Sequence, residues 1–311
     1  MSLRVTQQAV GRTNLASIRQ ASDNLSIAQE QLATARRINR LSDAPLDAAR
    51  AHRLRASTTR LDQYTRNLDQ AQHEIEFTAS TLQQVSDIFI EAGDICVRGA
   101  DGSTDSAERE TLAFAVEQLL GALQFNANAQ YNGHYIFAGS ANDTEPFVME
   151  PADGPVASVT YQGNTQTVAL GVGTRTQVET CEPGTDIFGQ SGGDACAFDV
   201  LVELRDLLRN TEGLTDNDLS EALSNHVEQV RTAHNRVIDA TSRFGWRSSQ
   251  LEFTRTVVDN AMLANTEEVS TLEDADYTEA AIMLQRHEVA LQTALAVAAR
   301  MTNNSLLEYL K

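Results

Sequence analysis

The sequence predicts a mainly α protein with a small β-rich insert: a long antiparallel helical bundle or coiled-coil rod, a β domain at its tip, and paired terminal helices. Three observations predict this. Leu54, Leu61, Leu68, Ile75, Leu82 and Phe89 recur every seven residues, and so do Leu223, Val230, Val237, Phe244, Leu251 and Val258. A seven-residue apolar repeat of this length keeps one face of a helix turned toward a partner. Four of the five prolines (Pro146, Pro151, Pro155, Pro183) and ten of the seventeen glycines fall between 133 and 193, so helix is excluded there and permitted on both sides. Within that stretch the apolar period drops to that of strands. Each ladder needs roughly 40 residues, or about 60–70 Å at 1.5 Å per residue. That suits an extended building block better than a pocketed enzyme.

The elements follow in order. Residues 10–38 form a first helix in which Ile18, Leu25 and Leu32 alternate with Ala21, Ala28 and Ala35, a narrow seam that lets helices approach closely. Ser42-Asp43-Ala44-Pro45 interrupts it, with Pro45 suited to the first turn of the next helix. The first ladder occupies about 46–93. Asp101 to Asp105 is a loop, and Asp105 with Glu108 forms a capping pattern for a third helix that carries Leu112, Val116, Leu119 and Leu123 on one face. Val156–Gln162 and Thr165–Leu170, joined through Gly163-Asn164, read as a hairpin, and Thr174–Thr180 as a further strand. Helix resumes at Phe198–Leu208, Asn210–Asp218 is a turn, and the second ladder covers about 217–265. A break at Leu272–Asp276 precedes a last helix with Tyr277, Ala281, Leu284, Leu291, Leu295 and Ala298. Three parts result: a terminal assembly segment (1–42 with 272–311), a helical rod (43–139 with 197–271) and a β-rich tip (140–196).

The net charge of −19 weighs against nucleic acid as a partner, since phosphate contacts need a basic footprint. Charge is unevenly spread. Residues 1–70 hold eleven Arg against six acids, so this segment can pair with the acidic run Glu267, Glu268, Glu273, Asp274, Asp276 and Glu279, or both can stand as solvated faces. The three cysteines include no C-x-x-C; Cys181 and Cys196 could form a disulfide in an oxidising place, while Cys96 reads as a small buried hydrophobe. Residues 1–12 lack the apolar run of a cleaved signal peptide, and no stretch reaches the 18 apolar residues of a membrane span. Composition by itself indicates a soluble cytoplasmic protein.

Enzyme patterns fail on inspection. The six histidines include no pair at i, i+4, and His226 and His234 lie about two turns apart, too far to share a metal without other ligands. The Asp101-x-Ser103-x-Asp105 start of a calcium loop has Ser106 where glycine is needed and Leu112 where glutamate is needed. Gly171-Val172-Gly173 lacks the rest of a dinucleotide site. No catalytic residue, metal or cofactor is expected. The terminal helices carry thin alanine-rich seams outside the main bundle, and isolated helices of this kind are marginal in water. Their seam residues Ile18, Leu25, Leu32, Tyr277, Leu284, Leu291 and Leu295 are therefore assigned to assembly, the ladders to holding the rod together.

Several local runs resemble the bacterial flagellin family. They are Asn24-Leu25-Ser26 to Thr34; Arg37-Ile38-Asn39-Arg40-Leu41-Ser42-Asp43-Ala44-Pro45; Asn132-Gly133-His134-Tyr135-Ile136-Phe137-Ala138-Gly139; Thr160 to Gly163; Gly184 to Phe188; Asp274 to Tyr277; and the closing Ser305 to Leu310. Pro45 is similar to the subunits that join hook to filament rather than to the filament subunits. Ala35 stands where the family often has glycine. The resemblance implies a structural subunit exported without a cleaved signal peptide to the extracellular flagellum, which replaces the cytoplasmic expectation. It also implies partners: hook-associated protein 1, filament flagellin, further copies of itself in a ring, and a cytosolic export chaperone. Two other readings stay open, a filament flagellin and, from a different class, a soluble coiled-coil adaptor.

Overall fold

A computed structural model describes residues 2–151, 156–192 and 196–309; Pro155 and the closing Leu310-Lys311 lie outside the described residues. The chain is mainly α with a small β component. In order come α1 (Ser2–Thr34), α2 (Pro45–Ala100), α3 (Ser106–Ala127), β1 (Gln130–Tyr131), β2 (His134–Tyr135), β3 (Phe147–Glu150) and β4 (Ser158–Tyr161). Then follow β5 (Ala169–Gly171), β6 (Gln177–Glu179), α4 (Gly184–Phe188), α5 (Ala197–Leu208), α6 (Asp216–Glu273) and α7 (Tyr277–Tyr309). Two compact units form: a first from Met1–Leu61 with Asn260–Lys311, and a second from Asp62–Asp259.

The second unit is built on the two ladders. Leu68, Ile75, Leu82 and Phe89 of α2 and all six ladder residues of α6 are buried, and Cys96 continues the first series with its thiol donating to the Leu223 carbonyl. Burial pushes that thiol up to about 12. Leu54 and Leu61, which fall in the first unit, are half-exposed. Between the large residues sit small ones, Ala71, Thr78, Ala92 and Gly99 on α2 and Ala233 and Ala240 on α6, giving the alternating 3,4 spacing of a heptad seam. Further polar contacts cross it, among them Gln72 to Ser248, Ser86 to His234, and the Ser220 hydroxyl to the Ala100 carbonyl. Each step of fourteen residues up α2 matches fourteen down α6, so the helices run antiparallel in one register.

Helix ends follow local chemistry. Pro45 opens α2, where a missing N–H costs nothing. Asp105 caps α3 by accepting from the Glu108 N–H at 2.7 Å. The β connections differ from the expected hairpin. β4 pairs antiparallel with β3, not with residues 165–170, and β5 pairs with β6. Gly163 and Asn164 are absent from the positive-φ positions, which a two-residue hairpin turn requires, and the Asn164 carboxamide instead accepts from the Ser140 and Gln166 N–H groups. That turn is made at Asn132 (φ 52) and Gly133 (φ 83), which join β1 to β2. The six strands make three two-stranded ladders. Their core is shared with helices: Phe137, Phe147, Tyr161, Phe188 and Phe198 form a chain of ring contacts with neighbouring centroids 5.1–6.1 Å apart, bringing α5 onto the strands.

Charged groups fasten this insert. Arg205, 3% exposed, donates to the Val156 carbonyl at 2.6 Å and pairs with Glu117 at 3.2 Å. Glu182 receives Arg243 in a two-pronged pair and Arg247 at 2.7 Å, tying the segment after β6 to α6. His226, also 3% exposed, donates from Nε2 to the Val200 carbonyl at 2.8 Å and so joins α6 to α5.

Two outcomes are expected. Ala35, which ends α1, has φ 58, a left-handed conformation in which a Cβ is strained. Ala35→Gly should stabilise the first unit by about 1 kcal/mol, seen as slower amide exchange in the last turns of α1. Burial lowers the pKa of His226 and His234, so the folded chain binds fewer protons than the unfolded one as pH falls below 6.5. The urea midpoint of the second unit should fall between pH 7 and pH 5, and His226→Gln should shrink that fall.

Candidate assembly surface

In the first unit α1 and α7 pack on each other. On α1, Ile18, Ala21, Leu25 and Leu32 are half-buried and Ala28 is buried; on α7, Ala280 is buried and Leu284, Leu291, Ala294 and Ala298 are half-buried. Both series keep 3,4 spacing, so the alanines set the closeness of the pair and the leucines and isoleucine fill it. Five of the residues assigned to assembly, Ile18, Leu25, Leu32, Leu284 and Leu291, thus line the seam of the intrachain pair. The other two, Tyr277 and Leu295, are 62% and 50% exposed.

The face of α7 turned away from the seam carries exposed apolar residues as well, beside Arg286, Thr293 and Arg300. Ile282, Met283, Val289 and Val297 are exposed, with Ala290 and Ala296 beside them. Ile282, Val289 and Ala296 recur every seven residues, as do Met283, Ala290 and Val297. α7 therefore carries two stripes, one used within the chain and one open. The exposed face of α1 is mostly polar, with Leu15 and Ile27 the large exceptions. The second stripe was written in the sequence, but reading α7 as a one-sided helix hid it.

A joint of ion pairs holds the pair at its base. Arg36 forms a β-bridge with Asp274, the Arg37 N–H donates to the Glu273 carbonyl at 2.6 Å, and the Ala275 N–H donates to the Ala35 carbonyl at 3.0 Å. The Arg37 guanidinium reaches both the Leu272 carbonyl at 2.7 Å and Asp47 at 3.1 Å. Arg50 pairs with Glu268, and Arg55 with Glu273, whose side chain is nearly buried. The basic first segment and the acidic run do pair here. Asp43 accepts the Arg40 and Asn39 N–H groups, which hold its carboxyl below the usual range, and Asp276 caps α7 by accepting from Thr278 and Glu279, with the same effect.

Cys181 and Cys196 are buried free thiols, both pushed up by burial, and Cys181 Sγ accepts from the Val168 N–H at 3.3 Å. Among the described residues no group of His, Cys, Asp or Glu could hold a metal ion, and no helix is long and apolar enough to cross a membrane.

Long helices, an open apolar stripe on a terminal helix and a charged joint are the features of a structural protein. Residues 5–142 match the bacterial flagellin N-terminal helical region and residues 227–310 the C-terminal helical region. The chain belongs to the flagellin family. It is similar to the flagellar hook-associated protein 3 of Escherichia coli K12, 23% identical over 324 residues that span 99% of this chain and 100% of the relative. Its fold is similar to that of a putative flagellar hook-associated protein from Vibrio parahaemolyticus (TM-score 0.65, 19% identity, 75% of this chain and 100% of the other). It is also similar to that of the flagellar junction protein FlgL from Legionella pneumophila (TM-score 0.61, 12% identity, 72% and 99%).

Because the carboxyl of Asp276 titrates lower in the folded state, its capping contribution is present above its unfolded value of 3.8 and is lost as pH falls below it. Far-ultraviolet circular dichroism should show α7 losing helix in acid, and Asp276→Asn, which keeps the cap but does not titrate, should flatten that part of the curve.

Proposed function

We propose that the chain is a structural subunit of the bacterial flagellum at the junction of hook and filament, assembled through its terminal helices. The observation that carries this is the open stripe of α7, Ile282, Val289 and Val297, on a helix whose opposite face is already occupied by α1. A helix apolar on two faces has burial left to gain only from another molecule. Family membership supports the flagellum as the setting, and end-to-end similarity to a hook-associated protein 3 supports the junction. Pro45, at the first position of α2, adds to this.

In this reading the paired helices of 1–42 and 272–311 join neighbours. The helical part, 43–139 and 197–271, acts as a stiff spacer, and 140–196 forms the outer tip. Ile18, Leu25, Leu32, Leu284 and Leu291 keep the pair closed, while Tyr277 and Leu295 stand exposed at the edge of that seam. The neighbours are hook-associated protein 1, filament flagellin and further copies of the chain in a ring. Export proceeds without a cleaved signal peptide, with a cytosolic chaperone engaged beforehand, and the final location is extracellular.

Deletion of the gene should leave hooks intact and filaments missing, with flagellin monomer leaking into the medium. Complementation with Val289→Asp plus Val297→Asp should give a chain that keeps its helical content yet fails to restore filaments. Normal motility in those cells would overturn the assignment of the open stripe. A purified chain that polymerises alone into long fibres would favour a filament flagellin, and one whose termini resist protease in dilute solution would favour a soluble adaptor.

A further inference from the structure

One asparagine of the chain is placed to react with its own backbone. Asn132-Gly133 is the single Asn-Gly step in the sequence, and it forms the two-residue turn between β1 and β2. Both residues are exposed and both have positive φ, 52° and 83°, the conformation of a type I′ turn. A five-membered ring forms when the amide nitrogen of the residue after an asparagine attacks the side-chain Cγ. That step needs a nitrogen and a carboxamide not held by other bonds, room for the peptide plane to rotate, and a backbone angle at which the ring closes flat.

Asn132 meets all three conditions. Among the described residues neither the Gly133 N–H nor the Asn132 carboxamide has a hydrogen-bond partner. The other loop asparagines beside it differ. The Asn128 carboxamide is bonded to the N–H and the carbonyl of Phe147, that of Asn164 to Ser140 and Gln166, and that of Asn210 to both backbone groups of Leu214. In α6, Asn225, Asn235, Asn260 and Asn265 precede N–H groups that the helix engages. Space is open at the turn, with no atom within 4 Å of where a Cβ on Gly133 would sit. The angle is also near at hand. A flat ring needs an asparagine φ of about +60° and ψ of about −120°, the values of the first central residue of a type II′ turn. Asn132 already has that φ, and types I′ and II′ differ by turning over the peptide that follows it. Gly133 takes negative φ in that rotation, which glycine adopts as readily as positive.

We propose that Asn132 is a self-modifying site, at which the Gly133 nitrogen displaces ammonia from the side chain and water then opens the ring. The bond from nitrogen to Cγ forms as the bond from Cγ to Nδ2 breaks, and the Gly133 amide proton leaves with the ammonia. Water adds to either carbonyl of the ring, leaving aspartate or its β-linked isomer at position 132. Asn132 lines a cavity of ≈ 260 Å³ together with Glu74, His134 and Thr180. Burial raises the carboxyl of Glu74, against the Thr180 hydroxyl and His134, and a second carboxylate there adds repulsion. The β-linked product also adds a main-chain atom to a turn whose register, Tyr131 opposite His134, fits two residues. The β1–β2 pairing loosens as a result. None of this depends on the flagellar reading.

The test keeps the purified full chain in mildly alkaline buffer for several days and follows each asparagine by mass spectrometry of its peptides. The peptide holding Asn132 should gain the mass of amide-to-acid conversion ahead of every other asparagine, and should split into two products of equal mass. Asn132→Gly keeps a Gly-Gly turn of the same type but cannot form the ring. It should lose the gain and retain its melting temperature. A synthetic peptide spanning residues 126–140 gives the rate without the fold, and the full chain should match it. An unchanged Asn132 in a full chain whose peptide converts would overturn the proposal, because the fold then protects the turn. Faster conversion at another asparagine, or a gain that persists in Asn132→Gly, would overturn it as well.

Discussion

The seven-residue period of α2 and α6 is the constraint on which the second unit depends. Because the two helices share one period they can stay in contact over many turns, and because small residues alternate with large ones their axes come close. Gly99 lets α5 approach the same seam: an added Cβ there would lie 2.4 Å from Leu208 of α5. Once the register is set, everything fastened to α6 falls into place. His226 meets the Val200 carbonyl, Arg243 and Arg247 meet Glu182, and Leu223 faces Cys96.

Arginine does much of the fastening in an acidic molecule. Arg205 is buried where α5, α3 and the start of the β4 segment meet, and Arg37, Arg50 and Arg55 gather the strand-like crossing at the base of α1 and α7. Exposed pairs of this kind add little stability, and buried ones are offset by desolvation. Their contribution is to orientation. A planar guanidinium that must satisfy a backbone carbonyl and a carboxylate together admits few arrangements of the segments bearing them.

Much of this was legible in the sequence. The ladders, the helix bounds near Pro45 and Ala197, the Asp105 cap and the break before Tyr277 all follow from periodicity and capping, which are local. The strand pairing was not. Gly163-Asn164 and Asn132-Gly133 look alike as turn formers, and the choice between them lies in Ala138 and Ser140, whose backbone groups engage Asn164 from more than twenty residues away. The partners of Arg205 and Glu182 were equally out of reach, since no rule of spacing connects residues on different elements. At the termini the pairing of the two helices was read from their seams, but the second apolar stripe of α7 was not.

The contacts that Gln72, Ser86 and the Ala100 carbonyl make across the α2–α6 seam have a geometric consequence. A pure heptad repeat cannot distinguish the native register from one displaced by a single repeat, because apolar residues would still oppose apolar residues. Such a slip moves one helix along the other by about 10 Å. Gln72, Ser86 and the Ala100 carbonyl, spaced at two repeats, would all lose their partners together in that slip. The seam thus behaves as a vernier: the apolar residues allow sliding only in whole steps, and the polar ones reject the first step. Two helices joined this way have a single relative position along their shared axis.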